Sequence, residues 1–79
     1  MPQFRHRHHV FEARQWQPGA DVPGVYHYFH NDAGTPYVRS RRGTYPVRPG
    51  DWIVADLDGV HHDAYSEVRF HDLFEPVTP

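Results

Sequence analysis

Seventy-nine residues make one small domain, and a chain of this size buries so little surface that a single core supplies only about 3–5 kcal/mol of net stability. Cysteine is absent, which excludes a disulfide staple, a thiolate nucleophile and a thiolate zinc site. All eight basic residues are arginine and ten acids set a formal charge of −2, a balance that excludes bulk duplex DNA as a partner. Protonation of all eight histidines would carry that charge from −2 to −2 + 8 = +6, with most of the change near pH 6.5. No apolar run approaches the roughly 18 residues needed to span a bilayer, and the polar start lacks a signal-peptide apolar region. The expected location is the cytosol of the cell that makes the protein, away from any membrane.

In chain order, residues 1–9 carry Arg5-His6-Arg7-His8-His9 and are expected to form a flexible terminus. His6, His8 and His9 there would bind Zn²⁺ or Ni²⁺ only adventitiously. Residues 10–79 are expected to form a single β domain. Turn signals recur in it at Pro18-Gly19, Pro23-Gly24, Asn31-Asp32-Ala33-Gly34, Arg42-Gly43, Pro49-Gly50 and Asp58-Gly59, a spacing that suits a small antiparallel protein. They separate strands expected over about 9–16, 25–30, 36–42, 44–48, 52–57, 60–65 and 73–77. One short helix is expected over 66–71, with Ser66 as N-cap, Glu67 in the first turn and Phe70 pointing inward. The fold class is therefore mainly β (α+β at most), a small twisted antiparallel sheet or partly open barrel with that one helix.

Two segments say more than composition. Val47-Arg48-Pro49-Gly50-Asp51-Trp52-Ile53-Val54 is a Pro-Gly turn running into an apolar strand, and Phe70-His71-Asp72-Leu73-Phe74-Glu75-Pro76-Val77 closes the chain. Together they resemble a family of small phage and prophage proteins with a V-x-P-G-D-W-I-V strand and an F-x-x-x-[YF]-E-P-V ending. Phe11-Glu12-Ala13-Arg14-Gln15-Trp16 is similar to that family's opening strand, V-E-A-x-Q-[WF]. The resemblance covers residues 10–19 and 43–77, and it implies a fold and a phage setting, with no assigned activity. Gln15, in phase with Phe11 and Ala13, is expected to be buried with its amide bonded to neighbouring backbone.

The Asp58-Gly59 pair reads as a two-residue type I′ turn. It pairs Leu57 with Val60, Asp56 with His61, Ala55 with His62, Val54 with Asp63, Ile53 with Ala64 and Trp52 with Tyr65. Alternation then assigns Ile53, Ala55, Leu57, Val60, His62 and Ala64 to the core, and Trp52, Asp56, His61, Asp63 and Tyr65, with Val54, to a binding or subunit face. His61, His62 and Asp63 opposite Asp56 form the one place where acid/base chemistry would assemble, and cross-strand Asp–His pairs on sheet surfaces are commonly just stabilising. A cupin-like metal enzyme using His61 or His62 is the alternative. It would need an upstream ligand pair, and His27 and His30 fall on opposite faces of a strand.

Arg39, Arg41 and Arg42, with Arg48 on the next strand and Tyr37 sharing the face of Arg39 and Arg41, form the candidate anion site. Guanidinium groups beside aromatic rings suit phosphate and nucleobase together, while charged residues on an edge strand also serve to block edge-to-edge pairing. The favoured functional expectation is a non-enzymatic phage-type accessory protein that binds, as a homo-oligomer, without catalysis, metal or cofactor. Its role would be host interaction or counter-defence, masking a host protein or sequestering a small nucleotide-like anion.

Overall fold

The computed structural model describes residues 3–6, 9–27 and 36–76, and the chain is mainly β with one short helix. Its elements in order are β1 (Gln3–His6), β2 (His9–Gln15), β3 (Val25–Tyr26), β4 (Tyr37–Ser40), β5 (Gly43–Pro46), β6 (Trp52–Ala55), β7 (His62–Tyr65), α1 (Glu67–Leu73) and β8 (Glu75–Pro76). They build two antiparallel sheets, one of five strands in the order β7-β6-β2-β1-β8 and one of three in the order β3-β4-β5. Neither closes into a barrel. Among the described residues no helix is long and apolar enough to cross a membrane. The expected strand at 28–30, the turn at 31–34, His8, His30 and Val77 lie outside the described residues.

The expected flexible start is corrected at Gln3–His6, which forms β1 between β2 and β8. Its cause is Phe4, the one aromatic of a polar segment. Burying that ring to 7% exposure sets Phe4 opposite Phe11 on one side and Pro76 on the other. Arg5 then donates from Nη2 and Nε to Glu75 Oε1 at 2.8 and 3.1 Å.

The 11–16 and 47–54 segments meet at one point. Trp16 N–H donates to Asp51 O at 2.7 Å and Gly50 N–H to Trp16 O at 2.8 Å. The Gln15 side chain donates to Gly50 O at 3.0 Å, the expected backbone bond, from a half-buried rather than a buried position. Asp51 closes the turn by accepting from Arg48 N–H at 3.0 Å, and Gly50 supplies its φ of +89°, a conformation that a β-branched residue adopts only under strain. Downstream, Ser66 caps α1 by accepting from Arg69 N–H at 3.3 Å. Phe70 and Phe74, one turn apart, stack at 4.9 Å and 16°. Every one of these motif residues has a folding role.

β6 organises both halves of the interior. Ile53 faces a cluster of Trp16, Val22, Val38 and Val47, while Val54 faces Phe4, Ala13, Phe70 and Phe74, with Trp52 and Tyr65 packed alongside. The five-stranded sheet is thus covered on one face by α1 and on the other by the β3-β4-β5 sheet. Trp52 lies flat on Phe70 at 4.5 Å and 4°, and Phe4 meets both rings edge-on at 5.3 and 4.8 Å. Aromatic pairs of this kind add about 0.5–1.5 kcal/mol each beyond their buried area.

The aromatic part of the expected binding face turns inward. Trp52 and Tyr65 are partners in register, as are Ile53 with Ala64, Val54 with Asp63 and Ala55 with His62, and this aromatic pair is half-buried against the cluster of Phe4, Phe70 and Phe74. The residues placed in the core at the hairpin tip are corrected too: Leu57 and Val60 are 59% and 68% exposed. The expected two-residue turn is a four-residue loop, closed by Gly59 N–H to Asp56 O at 3.0 Å and Asp56 N–H to His61 O at 2.9 Å. Asp58 decides the difference, since its Oδ1 accepts from both Val60 N–H and His61 N–H at 2.8 and 2.9 Å, an Asx arrangement that holds the longer loop.

Candidate functional site

β3 and β4 are paired so that Tyr26 is opposite Tyr37 and Val25 opposite Val38. Period-two alternation turns Val38 and Ser40 inward, where both are buried, and leaves Tyr37 and Arg39 on the outer face. There Tyr26 and Tyr37 stack at 5.5 Å and 26°. The Arg39 guanidinium carbon sits 4.9 Å from the Tyr26 ring centre, a cation–π contact worth about 0.5–1 kcal/mol at an exposed position. Tyr26 keeps 42% of its surface in solvent. The strands of this sheet contain no Asp or Glu. Tyr26 was missed in the sequence because the strand around it offers no charge; its signal was its register with Tyr37.

The remaining members of the arginine set are separated. Arg41 and Arg42 form the two-residue turn itself, one position earlier than the expected Arg42-Gly43, with Ser40 opposite Gly43. Ser40 Oγ accepts from Arg42 N–H at 3.0 Å. Arg41 leaves the face of Tyr37 and Arg39 for the tip of the neighbouring hairpin, where Nε and Nη2 hold Asp56 Oδ2 and Oδ1 at 2.9 and 3.2 Å and Nε lies 3.5 Å from Asp58 Oδ2. Arg48 is also displaced from its expected place beside Arg39. Thr44 is the residue opposite Arg39, and Arg48 lies past the end of β5, in the turn that Asp51 closes.

At the tip of β6–β7 the expected acid and imidazole come together with changed partners. His61 Nδ1 pairs with Asp58 Oδ2 at 2.5 Å, in place of Asp56, which Arg41 occupies. Donation from the His61 backbone, the His61 ring and the Val60 backbone holds the Asp58 carboxyl well below its usual range. Asp63 moves the other way: half-burial raises its pKa, and the nearby Asp56 charge adds to that, against Arg42. Burial, then Asp63, pushes the Tyr65 phenol up. The cluster is thus a set of internal ion pairs around a loop.

His62 faces the other side of the sheet. It lines a shallow concavity with Glu12, Ala13, Arg14, Val22, Pro23, Ile53 and Ala55. Its ring lies directly under Gly24, where a Cβ would sit within 2.3 Å of His62 Cγ; a residue without a side chain is what lets the 22–24 segment cover the imidazole. Among the described residues no three His, Asp or Glu side chains converge to hold a metal ion. No family model, curated protein or solved structure matches this chain.

Proposed function

We propose that this is a non-enzymatic accessory binding protein of the phage type, acting in host interaction or counter-defence, which takes a nucleotide-like anion on the outer face of the β3-β4-β5 sheet. The observation that carries this reading is the Arg39–Tyr26–Tyr37 stack on a sheet whose strands hold no carboxylate. A guanidinium presents a planar fork to phosphate oxygens, and a tyrosine ring accepts a nucleobase irrespective of its sequence. The phage setting is supported by the resemblance of the Val47–Val54 and Phe70–Val77 segments to that family. Those segments fold the molecule, so the binding residues stand mostly outside them.

The reading is tested by NMR titration with AMP, against inorganic phosphate as control. Ring resonances of Tyr26 and Tyr37 are expected to shift with AMP and to stop shifting in Arg39→Ala. Unmoved tyrosine resonances at millimolar AMP would reject it.

A further inference from the structure

We infer that the partner of this face is a single strand of nucleic acid, bound across the sheet through its backbone and one or two unstacked bases. This rests on the reading that the Tyr26, Tyr37 and Arg39 face takes a nucleotide-like anion, and it decides which kind.

The first ground is how charge is distributed along the chain. Residues 36–50 contain Arg39, Arg41, Arg42 and Arg48 and no acid. They carry +4, so the rest of the chain carries −2 − 4 = −6. A molecule that is acidic overall concentrates half its arginines on one hairpin. These cations do not converge. Arg41 is committed to Asp56 and Asp58. Arg39 lies mid-face opposite Thr44, Arg42 sits at the turn where its charge acts on Asp63, and Arg48 lies past the far end of β5. Arg39 and Arg48 thus stand at separate points along the hairpin, as a polyphosphate backbone running along it requires.

The second ground is shape. A free nucleotide is normally held in a concavity that covers most of its surface. The tyrosines instead stand on the outer face of the sheet, Tyr26 exposed and Tyr37 half-buried, and the concavity beside His62 is lined by other residues. Flat aromatics on neighbouring antiparallel strands, flanked by arginine, are how single strands are held, each base stacking without hydrogen-bond readout. A duplex keeps its bases stacked on one another and has no use for exposed rings. The six excess negative charges elsewhere also oppose wrapping by a long, densely charged helix.

The test is fluorescence anisotropy at low salt with a labelled eight-nucleotide oligo(dT), compared with dTMP, a duplex of matched length and a short poly-glutamate as competitors. The strand is expected to bind at least about 10-fold tighter than dTMP, and Tyr26→Ala and Arg39→Ala to weaken it by about 10-fold each. The slope of log K against log salt is expected at about −1.4, for two phosphate contacts, at Arg39 and Arg48, of about 0.7 each. Arg48→Ala should flatten that slope by about 0.7, an effect that altered folding does not produce. If dTMP binds as tightly as the strand, the strand inference is overturned and the nucleotide reading stands. Equal competition by the duplex or poly-glutamate would overturn it in favour of a general anion surface. Binding of neither strand nor nucleotide overturns both readings.

Discussion

The two sheets of this protein are built on opposite principles. The β7-β6-β2-β1-β8 sheet, with α1 against it, is an aromatic interior in which Phe4, Trp52, Phe70 and Phe74 touch one another and even its ion pair, Arg5 to Glu75, serves to fasten two strands. The β3-β4-β5 sheet turns one face inward through Val38 and Val47 and leaves the other to tyrosine and arginine. Residues of the 47–54 and 70–76 segments populate the first and its junction with the second. The outer face of the second instead carries the Tyr26, Tyr37 and Arg39 cluster.

That contrast predicts unequal costs. Phe70→Ala removes the ring on which Phe4, Trp52 and Phe74 converge and is expected to cost about 3–5 kcal/mol, enough to unfold a domain of this size; chemical denaturation of Tyr26→Ala, by comparison, should show a loss under about 1 kcal/mol. Equal losses would end the distinction between a structural and a binding sheet.

Glycine substitutions sharpen it next. Gly50 has open space where a Cβ would go, so Gly50→Val carries only backbone strain, about 1–3 kcal/mol. Gly24→Val adds a collision with the His62 ring and should melt lower still. Pairing Gly24→Ala with His62→Ala should recover the steric part and leave the strain of the +94° φ, which thermal melts of the single and double variants will separate. Gln15→Leu, which leaves Gly50 O without its side-chain donor, is expected to cost about 1 kcal/mol.

The smallest effect is expected at Asp63. Its folded pKa is raised above the ordinary 3.8 by burial and by Asp56, so the folded state binds a proton more readily than the unfolded chain. Its contribution to stability is therefore greatest at low pH and is lost as pH rises through the interval between 3.8 and the raised value. Asp63→Asn should stabilise at pH 7 by up to about 0.5 kcal/mol after allowance for solvent access, with the gain vanishing below about pH 3.8. A gain that grew toward acid pH would show that the sign is wrong.

Much of this was legible in the residues. The fold class, the helix with its Ser66 cap, the Pro49-Gly50 turn, the Gln15 amide and four hairpin pairs of β6–β7 follow from turn chemistry and alternation. What misled was assigning a single core face to that hairpin. Trp52-Ile53-Val54-Ala55 is an unbroken apolar run, the pattern of a strand buried on both sides, and the alternation of β7 disguised it. The loop at its tip departs from a two-residue turn because the Asp58 carboxylate holds two amides, a contact that the Asp-Gly pair alone does not reveal. The arginine set was recognised, but Arg41 was claimed by Asp56 across a contact between sheets that no local pattern reveals.

Both indoles bury an Nε1–H that finds no acceptor among the described residues, and they do so in different places, Trp16 between the sheets and Trp52 beneath α1. The molecule thus carries one indole in each half, Trp16 buried and Trp52 half-buried. Trp16→Phe and Trp52→Phe leave a single emitter apiece, so the two halves can be watched coming apart separately in urea. With Ile53 and Val54 on one four-residue strand joining them, the two red-shifts are expected at the same midpoint, and their separation would mean that the shared strand divides the protein into independently melting units.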